Sequence, residues 1–415
     1  MKKSFLAVLF ILLIDASNAQ ETKILTINTA GTLATVIGRE NTKLTNLTLI
    51  GKIDVRDFKF MRDSLSLLTE VNLKGTTIMR YEGSDGTKYS LVSDWNGLKK
   101  IPKQAIYYAN EIPYEAFNNC MILKKVALPE KTTSIGISAF GGCKELISVE
   151  PVKMLTKIND LAFSRCYKLQ QFDIFQTLDS TGNEPFLGCN SLKTINITTN
   201  AGKVSNLLKC FDKKIIEKII ISGNIDVRDF RFLRDEFAIL QELDLSKVQI
   251  LAFNGQGGTD NSVTIYPQNE IPVFSFCNIE KNKSCTNLKK IELPKTATSI
   301  GKFAFAGCES ISKLIIPAAI NQIGTFAFSY CENLNTVSIL SPSIQFDTYV
   351  FSNSKNIKSI YLYSPDPIVY KIKDWIFMKV IKDIGILYIP KGSKQKYLES
   401  EHWKMFVNIN EFDAN

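Results

Sequence analysis

The chain has a single histidine, His402, in 415 residues, and none of its nine cysteines forms a Cys-x-x-Cys pair. Structural metal sites draw on clustered Cys and His, so no metal centre is expected. A hydrolytic triad needs a base beside its nucleophile, and the lone histidine falls near the C-terminus. Paired carboxylates serve glycosidases, yet no acidic pair stands apart from capping and surface positions. We therefore expect neither catalysis nor a cofactor. Beyond the N-terminus no run approaches 18 uncharged apolar residues, which excludes a membrane-spanning helix at the level of the sequence. No arginine block and no stacking-aromatic motif of a nucleic-acid binder occurs. The formal charge is +9, but the lysines are scattered among acids. They read as a solvated basic surface with a mild preference for acidic partners.

The first residues resemble an export signal. Lys2 and Lys3 precede an apolar stretch from Phe5 to Ile14, and Ser17-Asn18-Ala19 places small residues before a cleavage point at Gln20. No cysteine follows the apolar stretch, which disfavours a lipid anchor. Removing residues 1–19 leaves a net charge of +8. The expected location is secreted or cell-surface, with the periplasm as the alternative.

What the chain has in quantity is periodicity. Phe117, Phe140, Phe163 and Phe186 are 23 residues apart, and Cys120, Cys143, Cys166 and Cys189 follow each by three. The pattern returns at Phe305, Phe328 and Phe351, and at Cys285, Cys308 and Cys331. A strand pattern, apolar-x-x-apolar-x-apolar, recurs in steps of 23 or 24 from Leu44 and once more at the segment Ile384–Ile389, with longer gaps from Leu68 to Leu123 and from Leu240 to Leu288. Such a period denotes a solenoid. The expected fold is a β-rich (α+β) solenoid with coils of about 23 residues. In-phase thiols stack in one column and pack as small hydrophobes. Parallel Cβ vectors disfavour disulfides within the column, leaving Cys210 and Cys277 as the off-phase exceptions. The well-formed coils also carry an apolar-Gly turn before Ala-Phe, as in Ile135-Gly136 and Ile300-Gly301, where glycine is expected to permit a tight bend.

A longer duplication overlies the coils. Ile53-Asp-Val-Arg-Asp-Phe-Lys-Phe-Met-Arg-Asp63 recurs as Ile225-Asp-Val-Arg-Asp-Phe-Arg-Phe-Leu-Arg-Asp235. Asp54 with Asp57, and Asp226 with Asp229, approximate helix capping boxes. After each unit the period breaks, and a Gly-rich insertion ends in Asn-Glu-Ile-Pro. We expect one elongated domain over 20–415. Residues 20–43 form an N-terminal cap, 44–389 the coils with insertions near 76–113 and 251–272, and 390–415 a C-terminal cap bearing Tyr397, Trp403 and Phe406.

The stretch Ile300-Gly301-Lys-Phe-Ala304-Phe305-Ala-Gly-Cys308-Glu-Ser-Ile311-Ser-Lys-Leu314-Ile-Ile316-Pro317 closely resembles the repeat of BspA-like leucine-rich repeat proteins of Bacteroidetes and some protozoa. The Asn-Glu-Ile-Pro insertions and the terminal Ile-Pro-Lys-Gly-Ser segment resemble those of exported members. The resemblance covers residues 20–415. It implies a right-handed solenoid, a secreted or cell-surface location, and a protein-binding or adhesive role, as in members linked to matrix binding and to contact with other cells.

The expected contact surface is the solvent-facing side of the strands. One column is Lys125, Ser148, Gln171, Thr194, Lys290, Lys313, Thr336 and Ser359. The next is Ala127, Glu150, Asp173, Asn196, Glu292, Ile315, Ser338 and Tyr361. The leading expectation is a non-enzymatic binder of a host or bacterial surface protein, with no nucleic-acid partner. The alternative is a glycan-binding surface protein of a polysaccharide-capture system, with Tyr361 and Tyr363 stacking on sugars.

Overall fold

The computed structural model describes residues 21–38, 43–87, 91–94, 97–100, 105–278, 283–368, 385–401, 403–404 and 406–414. The expected export signal with its expected cleavage point at Gln20, and also Ile384 and His402, lie outside them. The chain winds as a β-solenoid of about 14 turns, each of about 24 residues. Every turn sends one strand into a parallel array. Leu47 stands beside Val71, Val71 beside Val126, and Lys125 beside Ser148. Gln171, Thr194, Lys218, Glu242 and Lys290 continue the array, as do Lys313, Thr336, Ser359, Ile386 and Asn408. Val71 and Val126 are 55 positions apart and still neighbours, as are Leu243 and Ile291 at 48. The insertions therefore leave the array without a gap. Each insertion begins and ends in an antiparallel pair, Tyr81–Gly83 with Ala105–Tyr107 and Phe253–Asn254 with Ile265–Tyr266.

One apolar core runs through the stack. The in-phase phenylalanines lie face to face, with ring centroids 5.4 Å apart for Phe117–Phe140 and 5.1 Å for Phe140–Phe163. Phe211 and Phe276 extend the two columns outside the sequence motif, at 4.6 Å from Phe186 and 5.0 Å from Phe305. Phe58 and Phe230 close each column edge-on. They come from helices α2 (Val55–Ser64) and α4 (Val227–Glu236), the duplicated units. Before them lie the short helices α1 (Leu33–Ile37) and α3 (Val204–Leu208), and α5 (Lys394–Glu399) follows the coils. Tyr397, Trp403 and Phe406 are buried against the last turns, and Trp403 Nε1 donates to Ile368 O at 2.7 Å.

The cysteine column has a polar function as well as an apolar one. Four thiols, those of Cys143, Cys166, Cys189 and Cys331, donate to the carbonyl of the phenylalanine 26 positions earlier. Cys143 reaches Phe117 O at 3.1 Å, Cys166 reaches Phe140 O at 3.2 Å, and Cys331 reaches Phe305 O at 3.3 Å. In the next coil Ser354 takes the place of cysteine and donates to Phe328 O at 2.7 Å. All nine cysteines are free thiols, Cys210 and Cys277 included. Cys120, which opens the first run, and Cys285, which follows a hairpin, are only partly buried.

One expectation about local structure needs correction, and a second is met and extended. The glycine after each short strand is not a φ requirement. Gly136 and Gly301 lie outside the left-handed region. A Cβ on Gly301 would sit 2.5 Å from Val273 N of the preceding coil, and one on Gly136 would sit 2.6 Å from Tyr114 N. Close approach of coil to coil is what demands glycine there. The left-handed positions fall two residues later, at Ser138, Leu161, Phe303 and Phe326 among others. The acids of the capping boxes also do more than cap. Asp54 accepts from Arg56 N, and Asp57 accepts from Asp54 N at 2.9 Å. Asp57 further accepts from Gly31 N at 2.7 Å and Leu33 N at 2.9 Å in the preceding coil. Asp229 repeats this with Gly202 N and Val204 N. One buried carboxylate thus ties two turns of the solenoid together.

Candidate binding surface

The residues expected to face solvent lie in register on one face of the parallel strands but do not meet at one spot. Lys125 is exposed and paired with Glu70 at 3.3 Å. Glu150 is exposed and paired with Lys74 at 2.5 Å. Gln171 Nε2 and Asn196 Nδ2 both donate to Asp173 Oδ1, at 3.0 and 2.8 Å. Lys290 pairs with Glu292 at 3.2 Å, and that bond holds the Lys290 ammonium above its ordinary pKa. Lys313 is exposed, and Thr336 beside it is half-buried. Most of the charge on this face is therefore neutralised by its own neighbours.

Ala127 departs from the expected alternation. It is buried. Its strand neighbours carry Lys74 and Glu150, whose ion pair bridges the two sides of this small residue. A methyl group is too short to pass that bridge.

Along the last strands the polar face gives way to aromatics. Tyr361 stacks on Tyr388 with centroids 4.3 Å apart and planes 4° from parallel. Phe412 presents its ring near-perpendicular to Tyr361 at 5.6 Å and to Tyr363 at 5.1 Å. All four rings are half-buried. Burial, followed by the neighbouring Tyr388, raises the pKa of the Tyr361 phenol. The column continues from Tyr361 through Ser338 to Ile315, which is exposed. A half-exposed aromatic patch with hydrogen-bonding edges is a strong anchor for a protein partner.

A second aromatic row escaped the reading of the sequence. Phe274, Phe303, Phe326 and Tyr349 are half-buried and stack at 5.3, 5.0 and 4.9 Å. All four adopt positive φ, from 54° to 61°. The last three recur every 23 residues, two before a core phenylalanine, and that spacing was the available signal. In the first half of the chain the same phase holds Glu115, Ser138, Leu161 and Glu184.

Four of the thiols are held protonated by burial. Burial pushes Cys120 and Cys331 up to about 12 and holds Cys143 and Cys308 well above the usual value. Such groups remain protonated and unreactive near neutral pH. Among the described residues no cluster of three His, Cys, Asp or Glu side chains is arranged to hold a metal ion. Nor is any described helix long and apolar enough to cross a membrane.

The chain resembles the pneumococcal vaccine antigen PcpA at 14% identity over 89% of this chain and 80% of that one, with a TM-score of 0.28. It resembles a leucine-rich repeat protein from Bacteroides ovatus at 18% identity over 74% and 92%, TM-score 0.24. A leucine-rich cell surface protein from Faecalibacterium prausnitzii gives 18% identity over 87% and 83%, TM-score 0.24. No curated protein matches the chain. The model of the BspA-type leucine-rich repeat region matches residues 110–233 and 269–398 in six copies. The periodic phenylalanines, the thiol-to-carbonyl bonds and this match over most of the chain place it in the BspA-type leucine-rich repeat family.

Proposed function

We propose that this chain is an exported, non-catalytic binding protein that engages a host or bacterial surface protein through the solvent face of its strands. Residues 1–19 serve as the export signal, and the mature chain from Gln20 acts outside the cytoplasm, secreted or at the cell surface. One observation carries the reading. The polar strand face, with its charges paired internally, ends in the half-exposed cluster of Tyr361, Tyr363, Tyr388 and Phe412. Aromatic anchors beside a hydrated polar surround are the usual anatomy of a protein interface. Sugar stacking on Tyr361 is less favoured, because Tyr388 already covers one face of that ring.

Residues 20–415 should show saturable binding to one member of a panel of matrix and cell-surface proteins, and that binding should persist at about 150 mM salt. Tyr361→Ala with Tyr388→Ala should weaken it at least roughly ten-fold. The pair Lys290→Glu and Lys313→Glu should weaken it less, as expected of rim charges. Binding that disappears with salt would reduce the interaction to net charge. Unchanged affinity in both double variants would move the site off this face.

A further inference from the structure

The first insertion unit holds a cleft of about 430 Å³ between its returning strand and the short strands of the following coils. That volume falls within the range of small-ligand sites. One wall is apolar and open to solvent, with Tyr108 63% exposed, Ile106 44% and Ile137 38%. The other side is polar. Ser134 lies in register between Glu111 and Lys157 on three adjacent strands, so the cleft carries one carboxylate at its near end and one ammonium at its far end. Asn159 Nδ2 donates to Ser134 Oγ at 3.2 Å and to Ile135 O at 2.8 Å, so the Ser134 hydroxyl keeps its hydrogen for another acceptor. Lys157 enters no ion pair among the described residues.

The duplication separates what the frame needs from what this cleft adds. Both units share the buried arginine, the anchoring threonine and the Asn-Glu-Ile-Pro turn, through Arg62, Thr87 and Asn110 in one and Arg234, Thr259 and Asn269 in the other. Within that frame Tyr108 stands where the second unit has Pro267, and Tyr114 where it has Val273. The second unit builds its turn without either tyrosine. The exposed Tyr108 ring is thus not explained by folding.

We propose that this cleft binds a short acidic oligosaccharide, a glycan bearing a uronate. A pyranose offers an apolar C–H face to the tyrosine and a rim of hydroxyls to Ser134, Thr156 and Asn159. Its carboxylate would complement the unpaired Lys157 ammonium. An extended peptide fits less well. The strands Ser134–Ile135 and Lys157–Ile158 are each paired on both sides, which leaves no free backbone ladder on the polar wall for strand addition.

The test is calorimetric titration of residues 20–415 with a galacturonate trisaccharide, alongside a neutral trisaccharide and an acidic tripeptide. The expected result is saturable binding of the uronate, weakened at least roughly ten-fold by Tyr108→Ala. Tyr108→Pro, which copies the second unit, should act alike and guards against a folding artefact. Lys157→Gln should remove the preference for the acidic over the neutral sugar. No saturation, unchanged affinity in both Tyr108 variants, or preference for the tripeptide would overturn the proposal. The readout is independent of Tyr361, Tyr388, Lys290 and Lys313, so it stands or fails separately from protein binding on the strand face.

Discussion

Arg234 Nη1 donates to Phe274 O at 3.0 Å across 40 positions of the chain, and Arg62 makes the equivalent bond to Glu115 O at 2.9 Å. Both side chains are almost wholly buried, at 5% and 6% exposure, and both are held by the following aspartate. The same nitrogen of Arg234 also reaches Thr259 O at 2.9 Å, and that of Arg62 reaches Thr87 O at 3.0 Å. One planar guanidinium therefore fixes both the outgoing and the returning arm of each insertion to its helix. A lysine offers no such fork.

Arg234→Ala should leave buried carbonyls and Asp235 without their donor, at a cost of about 3 kcal/mol. Denaturant unfolding measures that loss. Limited proteolysis should show new cleavage between residues 253 and 266, and Arg234→Lys should restore little. Intact insertions at wild-type stability would show that the arginine is not their anchor.

Gly301→Ala should destabilise the chain by about 1–3 kcal/mol through overpacking between coils, since its Cβ would fall 2.5 Å from Val273 N. Gly392, with φ of 83° and nothing within 4 Å of a built Cβ, separates the two causes. There alanine should cost only the backbone term, about 1 kcal/mol. Equal thermal shifts for the two variants would contradict the close-approach account.

Cys143→Ser should change stability by less than about 1 kcal/mol, because a hydroxyl can make the same bond to Phe117 O that Ser354 already makes to Phe328 O. Cys143→Val keeps the apolar packing but removes the donor, and should cost more. Thermal melts of the two variants decide the order. A better-tolerated valine would mean that the column is held by packing alone.

Burial raises the pKa of Asp229 to about 6, against the opposing pull of three backbone N–H donors. Asp57 is raised for the same reason. Between the unfolded value of about 3.9 and the folded one, the native state keeps a proton that the unfolded chain has lost. The associated stability is full below about pH 4 and is lost as pH rises through about 6. Asp229→Asn cannot titrate and places an amide N–H₂ toward a backbone donor. The stability of the wild type relative to this variant should therefore fall from about pH 4 to about pH 6.5. A difference that stays flat or grows would show that the N–H donors outweigh burial.

Much of this was open to inspection in the sequence because a solenoid turns sequence spacing into spatial neighbourhood. The 23-residue steps of Phe117, Phe140 and Phe163 became a ring stack, and the strand pattern gave the columns Lys313–Thr336 and Ile315–Ser338. Where the spacing was interrupted the reading failed. Phe276 lies 29 residues before Phe305 because the hairpin Cys277–Asn278 with Lys283–Ser284 intervenes. Ala127 occupies an outward position in the sequence pattern but is buried beside an ion pair between flanking strands. The row of Phe274, Phe303, Phe326 and Tyr349 shared the period of the core and could not be told from it by spacing.

By itself the sequence determined the coil length, the apolar core and the placement of the duplicated helices, since each follows from a period or a cap that acts over a few residues. Only the tertiary structure decided how the insertions return, which aromatic rings remain exposed, and that Tyr108 and Lys157 line one cleft. Those outcomes rest on contacts across 25 to 55 positions, such as Arg62 to Thr87 and Glu115 and Val71 beside Val126. No local propensity encodes such distances. They are fixed when neighbouring coils stack and every buried carbonyl must find a donor.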